Sequence, residues 1–178
     1  SPIGPLTLSM LTPPAAARKN TAQEGKFLTF ALGKEEYGLE ILKVREIIGY
    51  MNITAVPRTP PFVKGVINLR GQVIPVIDLR LRFGMEPADI TEQTCIIVAE
   101  INQNEKTFNA GLIVDRVQEV LDINAEDIEE SSHLGSAVQS DFILGIGKIG
   151  SSIKILLDID RVLGGVHLNQ TASENTPS

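Results

Sequence analysis

The sequence predicts a mainly β protein, built from two copies of a small closed β-barrel of about five short strands each, with short helices. Three observations carry this. Residues 62–84 hold two apolar runs, Val66 to Leu69 and Val73 to Ile77, flanking Arg70-Gly71, the pattern of a β-hairpin whose glycine supplies a positive φ. Displaced by 80 positions, that stretch falls without a gap on residues 142–164: Phe62, Gly65, Asp78 and Gly84 meet Phe142, Gly145, Asp158 and Gly164. Displaced by 73, residues 37–48 fall on residues 110–121, where Gly38, Leu39, Val44 and Glu46 recur as Gly111, Leu112, Val117 and Glu119. Two matches in the same order indicate a duplicated unit of roughly 75 residues, in the size range of a small barrel.

In chain order, residues 1–25 carry Pro2, Pro5, Pro13 and Pro14 and no steady apolar period, which predicts a disordered tail. The domain proper spans 26–164, with repeat units at about 27–84 and 94–164. Residues 27–32 read as a strand, 33–36 as its turn and 37–41 as the return strand. Residues 42–48 read as a helical turn or two, because Ile41, Val44 and Ile48 fall on one helical face. Gly49 ends it, and Pro57, Pro60 and Pro61 make a stiff connector that forbids helix up to Phe62. After the hairpin, Asp78 caps a helical turn stopped by Gly84. The second unit gives a strand over 95–101, a polar turn over 102–105 and a strand over 106–114. Residues 117–121 repeat the amphipathic segment, and 122–140 read as a long acidic, mobile connection. The second hairpin and helical turn then occupy 143–163, and 165–178 form a polar tail.

Composition narrows the function classes. The chain is 43% apolar but only 4% aromatic, a surplus of valine, isoleucine and leucine that suits many short strands and apolar surface for partners. A net charge of -6 argues against nucleic acid or an anionic membrane as the main partner. Apolar runs are too short to insert in a bilayer. The single cysteine, Cys95, lies in an apolar run and reads as a buried thiol. With no internal disulfide and no secretory signal, the expected compartment is the cytoplasm.

Catalytic chemistry is not visible. Gly145, Gly147 and Gly150 spell G-x-G-x-x-G, but a nucleotide site needs a helix after the glycines to meet a phosphate. Residues 151–157 read as strand instead. His133, His167 and Cys95 have no zinc spacing, and neither histidine sits where a rigid catalytic base would stand. Asp78 and Asp158 read as caps. No catalytic residue, cofactor or metal site is expected.

At the hairpin tip the copies differ: Arg70-Gly71 in the first is Gly150-Ser151 in the second. The apolar positions are kept and the charge is not. A charge that the turn does not require is better explained by a partner.

The segments Tyr37-Gly-Leu-Glu-Ile-Leu-Lys-Val-Arg-Glu-Ile, Phe62-Val-Lys-Gly-Val-Ile-Asn-Leu-Arg-Gly and Val73-Ile-Pro-Val-Ile-Asp-Leu resemble the bacterial chemotaxis coupling family, the CheW-like proteins, from about residue 27 to 163. The resemblance implies two SH3-like five-stranded β-barrel subdomains related by internal duplication. It implies a cytoplasmic, non-enzymatic adaptor recruited to membrane-associated receptor arrays. There it would bridge the cytoplasmic tips of methyl-accepting chemoreceptors to the CheW-like regulatory domain of the histidine kinase CheA. Receptor-facing positions by resemblance are Val44, Glu46, Gly65, Arg70, Val117 and Val120. For the three valines, spacing alone favours core packing, and for Gly65 a turn requirement; Arg70 is the position where a partner role outweighs its alternative. Kinase contacts are not assigned to residues, and residues 129–140 are where partner choice would vary. The competing readings are an adaptor of a pilus-driven or gliding motility pathway, an isolated kinase regulatory domain, and a small β-barrel enzyme or ligand carrier.

Overall fold

The computed structural model describes residues 25–130 and 141–164. Apart from Gly25, which opens β1 instead of ending a disordered tail, the predicted tails, His133, His167 and nearly all of the proposed partner-choice loop lie outside these residues. The first copy runs β1 (Gly25–Leu32), β2 (Glu35–Glu40), a 3-10 turn (Ile41–Lys43), β3 (Val44–Gly49), β4 (Val63–Leu69), β5 (Gln72–Asp78) and α1 (Leu79–Arg82). The second runs β6 (Cys95–Gln103), β7 (Lys106–Val114), β8 (Arg116–Ile123), a 3-10 turn (Ala125–Asp127), β9 (Ile128–Glu129), β10 (Ile143–Ile149), β11 (Ser152–Leu157) and α2 (Ile159–Val162).

Two expectations need correction. The amphipathic segments over 42–48 and 117–121 are strands β3 and β8, with helical character confined to the 3-10 turn before β3. Val44 and Ile48 stand four apart, and so do Val117 and Leu121; that spacing shares a face in a strand as well as in a helix. The β-branched side chains decide for strand. The acidic connection is also less open than its composition suggests, because Ile128 and Glu129 pair with β10.

The strands form two sheets, ordered β8-β1-β2-β11-β10-β9 and β3-β6-β7-β5-β4. The two copies therefore exchange their opening hairpins. Strands β1 and β2 complete the sheet of the second copy, while β6 and β7 complete that of the first. Each exchange is sealed by a parallel joint: Leu156 faces Gly38 across β11 and β2, and Val76 faces Gly111 across β5 and β7. These are the same pairs under the two sequence displacements. A Cβ on Gly38 would stand 2.9 Å from Leu156 Cδ2 across the joint, and one on Gly111 2.7 Å from Ile96 Cγ2 on the neighbouring β6, so neither position leaves room for a side chain.

Burial follows this arrangement. Phe30, Leu32, Leu39, Ile77, Ile97 and Leu112 belong to a core contributed by both sheets. Ile67, Ile74, Val76, Ile96 and Val98 form a second cluster on the five-stranded sheet, and Phe27, Ile123, Leu144 and Leu156 a third on the six-stranded one. Strand β6 serves two cores at once, which is why Cys95 to Ala99 reads as an unbroken apolar run. Full burial of each such side chain stabilises by about 1.5–3 kcal/mol.

Copy symmetry extends to detail. The Asp78 N–H donates to the Phe62 carbonyl at 2.8 Å, and Asp158 N–H to Phe142 at the same distance. Asp78 and Asp158 cap α1 and α2 by accepting from Leu81 and Arg161 N–H, as the sequence predicts. Phe62 and Phe142 clasp one cation between them: the Arg82 guanidinium lies 4.7 and 4.8 Å from their ring centres and donates to the Val162 carbonyl at 2.6 Å.

Two depressed carboxyls make the fold acid-sensitive. Asp115 accepts from Arg80 Nε and Nη2 at 2.8 and 2.6 Å and from Gly33 N–H at 2.7 Å, and the Arg80 hydrogen bonds hold its pKa below the usual 3.8. Glu36 is held below its usual 4.5, chiefly by Lys154. A carboxyl with a lowered folded pKa contributes stability that is complete above its unfolded value and lost as pH falls through the folded one. Asp158, pushed up by burial, works in the opposite sense. The urea midpoint should stay level from pH 7 to about 5 and decline below about 4. Asp115→Asn should flatten that decline; an unchanged slope would mean the pair does not set it.

Candidate functional site

The site builds from the tip of the first hairpin. Arg70 and Gly71 both have positive φ, 53° and 87°, the signature of a type I′ turn, and Gly71 N–H donates to Asn68 Oδ1 at 2.9 Å. The sequence reading gave the positive φ to glycine alone; Arg70 shares it. In the second copy Gly150 has φ 59°, while Ser151 is not among the positive-φ residues. The second tip therefore fits the turn type that asks for glycine only at its first position.

Arg70 is well exposed, and its guanidinium pairs with the Glu46 carboxylate on β3. Two residues 24 positions apart, both receptor-facing by resemblance, thus form one unit. The second copy has no equivalent pair, since glycine replaces the arginine. Val44 and Val117, copy-related, lie half-buried on β3 and β8 against the core shared by the sheets. Val120 is exposed at 49%, and its counterpart Ile47 at 44%. Ile47 was missed by the sequence reading, although the 73-residue displacement that finds Val117 also sets Ile47 on Val120.

Gly65 is buried and has φ 142°. It sits at a bulge of β4 between Val63 and Gly65, where Thr54 and Val66 exchange two backbone hydrogen bonds of 2.9 Å. A Cβ there would fall 1.9 Å from the Thr54 carbonyl oxygen. The turn requirement expected for Gly65 is therefore corrected: its counterpart Gly145 recurs at the same bulge of β10, and both glycines lie in strands.

The CheW-like domain family matches residues 26–166 of this sequence. The chain belongs to the CheW-like domain family. Among its relatives, a chemotaxis protein CheW of Klebsiella aerogenes is 41% identical over 138 residues, covering 78% of this chain and 81% of that protein. A probable chemotaxis protein CheW of Rhizobium etli is 37% identical, covering 76% and 84%. The crystal structure of the scaffolding protein TtCheW from Thermoanaerobacter tengcongensis superposes with a TM-score of 0.70 at 37% identity, over 80% of this chain and 94% of that one.

Within this CheW-like frame, Gly145 and Gly147 lie in β10, Gly150 lies in the turn, and β11 rather than a helix follows. Calorimetric titration with Mg-ATP should give no saturable isotherm; a stoichiometric one would overturn the hairpin assignment. Among the described residues, no group of three or more His, Cys, Asp or Glu is placed to hold a metal ion, and no helix is long and apolar enough to cross a membrane. Cys95 is half-buried rather than buried. Its thiol donates to the Gln93 carbonyl at 3.3 Å, and burial raises its pKa.

Proposed function

We propose that this chain is a non-enzymatic adaptor that couples the cytoplasmic tips of methyl-accepting chemoreceptors to the regulatory domain of the histidine kinase CheA. The observation that carries this reading is the 41% identity, over most of both chains, to a chemotaxis protein CheW. Its six-stranded and five-stranded sheets act as two SH3-like barrels, where five strands each were expected, a reading supported by the Thr54–Val66 pairing at the open side of β4. The receptor-facing surface is formed by Val44, Glu46, Arg70, Val117 and Val120, with Ile47 added by copy symmetry. Gly65 shapes it from beneath. The protein works in the cytoplasm, recruited to receptor arrays.

Separate binding measurements with receptor signalling fragments and with the isolated CheA regulatory domain test this reading. An adaptor binds both. Binding to neither would overturn it, and binding to the kinase domain alone would remove the receptor assignment.

A further inference from the structure

Strands β3 and β8 each carry a bulge. Along β3, Val44 faces Ala99 and Glu46 faces Val98, so Arg45 is the extra residue. Along β8, Val117 faces Phe30 and Val120 faces Leu28, so Thr29 alone stands opposite Gln118 and Glu119. The two bulges are copy-related, and each sets the side chains that flank it. They are fastened differently.

On β3 the fastening is at the surface: Arg45 pairs with Glu100, and the two side chains are 52% and 24% exposed. On β8 it comes from within. Thr29 is fully buried, and its hydroxyl donates to the Glu119 carbonyl at 2.8 Å while accepting from the Glu119 N–H at 3.2 Å. One hydroxyl thus satisfies both backbone groups of the residue that the bulge displaces. Beside it, Gln118 Nε2 donates to Glu36 Oε2 at 3.0 Å, and Glu36 pairs with the buried Lys154. In the other copy the position of Lys154 is Ile74, also buried. The fold is therefore met by an apolar residue there, and a buried ion pair is weak evidence for stability in itself.

We infer that Thr29, backed by the Lys154–Glu36–Gln118 relay, is a positioning residue that locks the β8 bulge and holds Val117 and Val120 in register for the receptor. This rests on the adaptor reading. Thr29→Val keeps the shape and removes the hydroxyl, and Thr29→Ser returns it. In the protein alone, hydrogen exchange at the Glu119 amide should quicken about tenfold in Thr29→Val, roughly the effect of one buried hydrogen bond. Affinity for a receptor signalling fragment should fall by about the same factor while CheA regulatory-domain affinity holds. Thr29→Ser should restore both quantities.

Gln118→Ala cuts the relay at a half-buried site and serves if Thr29→Val does not fold; a selective receptor loss of about threefold is expected. Wild-type affinity for the receptor fragment in Thr29→Val, or equal loss of both partners in either variant, would overturn the positioning role. A wild-type protein that binds no receptor fragment would instead overturn the adaptor reading.

Discussion

Gly65→Ala should destabilise the protein by about 3 kcal/mol or more, read as a lowered urea midpoint with an unchanged slope. Two penalties coincide. A φ of 142° lies in territory that residues with a Cβ rarely adopt, and the added carbon would fall 1.9 Å from the Thr54 carbonyl oxygen and 2.9 Å from Ala55 Cα. The obstacles are backbone atoms, so no side chain can rotate away. Relief requires separating Thr54 from Val66, which costs their two 2.9 Å hydrogen bonds. Receptor and kinase binding should then fall together as the folded population shrinks. A variant that melts like wild type yet loses only receptor binding would show that Gly65 acts by direct contact.

Arg70→Glu should behave in the opposite way. The hairpin tolerates glycine at the equivalent position, the pair with Glu46 is largely in water, and exposed ion pairs contribute about 0–1 kcal/mol. Stability should therefore change by about 1 kcal/mol or less, even with two carboxylates facing each other. Receptor affinity should fall by about thirtyfold or more, the loss that goes with truncating an interface hot spot of about 2 kcal/mol. Arg70→Gly separates charge from turn, because glycine suits a φ of 53° and the second copy already uses it there. It should melt near wild type and still lose receptor affinity, with CheA regulatory-domain binding retained in both variants. Lower stability in Arg70→Gly, or joint loss of both partners, would make Arg70 structural.

The sequence reveals most where contacts are local. Hairpin tips, the caps at Asp78 and Asp158 and the helix stop at Gly84 depend on residues within a few positions, and all are legible. The internal match is legible too, since the same apolar positions recur at displacements of 80 and 73. What stays hidden is contact between distant segments. A chain compared with itself matches equally well whether a hairpin folds onto its own copy or crosses to the other, so the exchange of β1–β2 with β6–β7 leaves no mark. Glu46 and Arg70 stand out singly, but only the Arg70–Glu46 contact between β3 and the β4–β5 tip makes them partners. Gly65 resembles a turn glycine until Thr54 is seen above it. Strands β3 and β8 read as helix because residues four apart share a face in either geometry.

The exchanged hairpins also bear on how the chain is made. As synthesis proceeds, β1 and β2 emerge first, yet β1 waits for β8, and the Glu36–Lys154 pair beside the β2–β11 joint spans 118 residues. The nascent first half therefore holds Phe27 without Ile123, Leu144 and Leu156, its eventual cover, until nearly the whole domain has left the ribosome. Neither half owns a complete sheet, so the halves are mutual templates rather than independent modules. One copy alone would lack the opening hairpin that completes its sheet here.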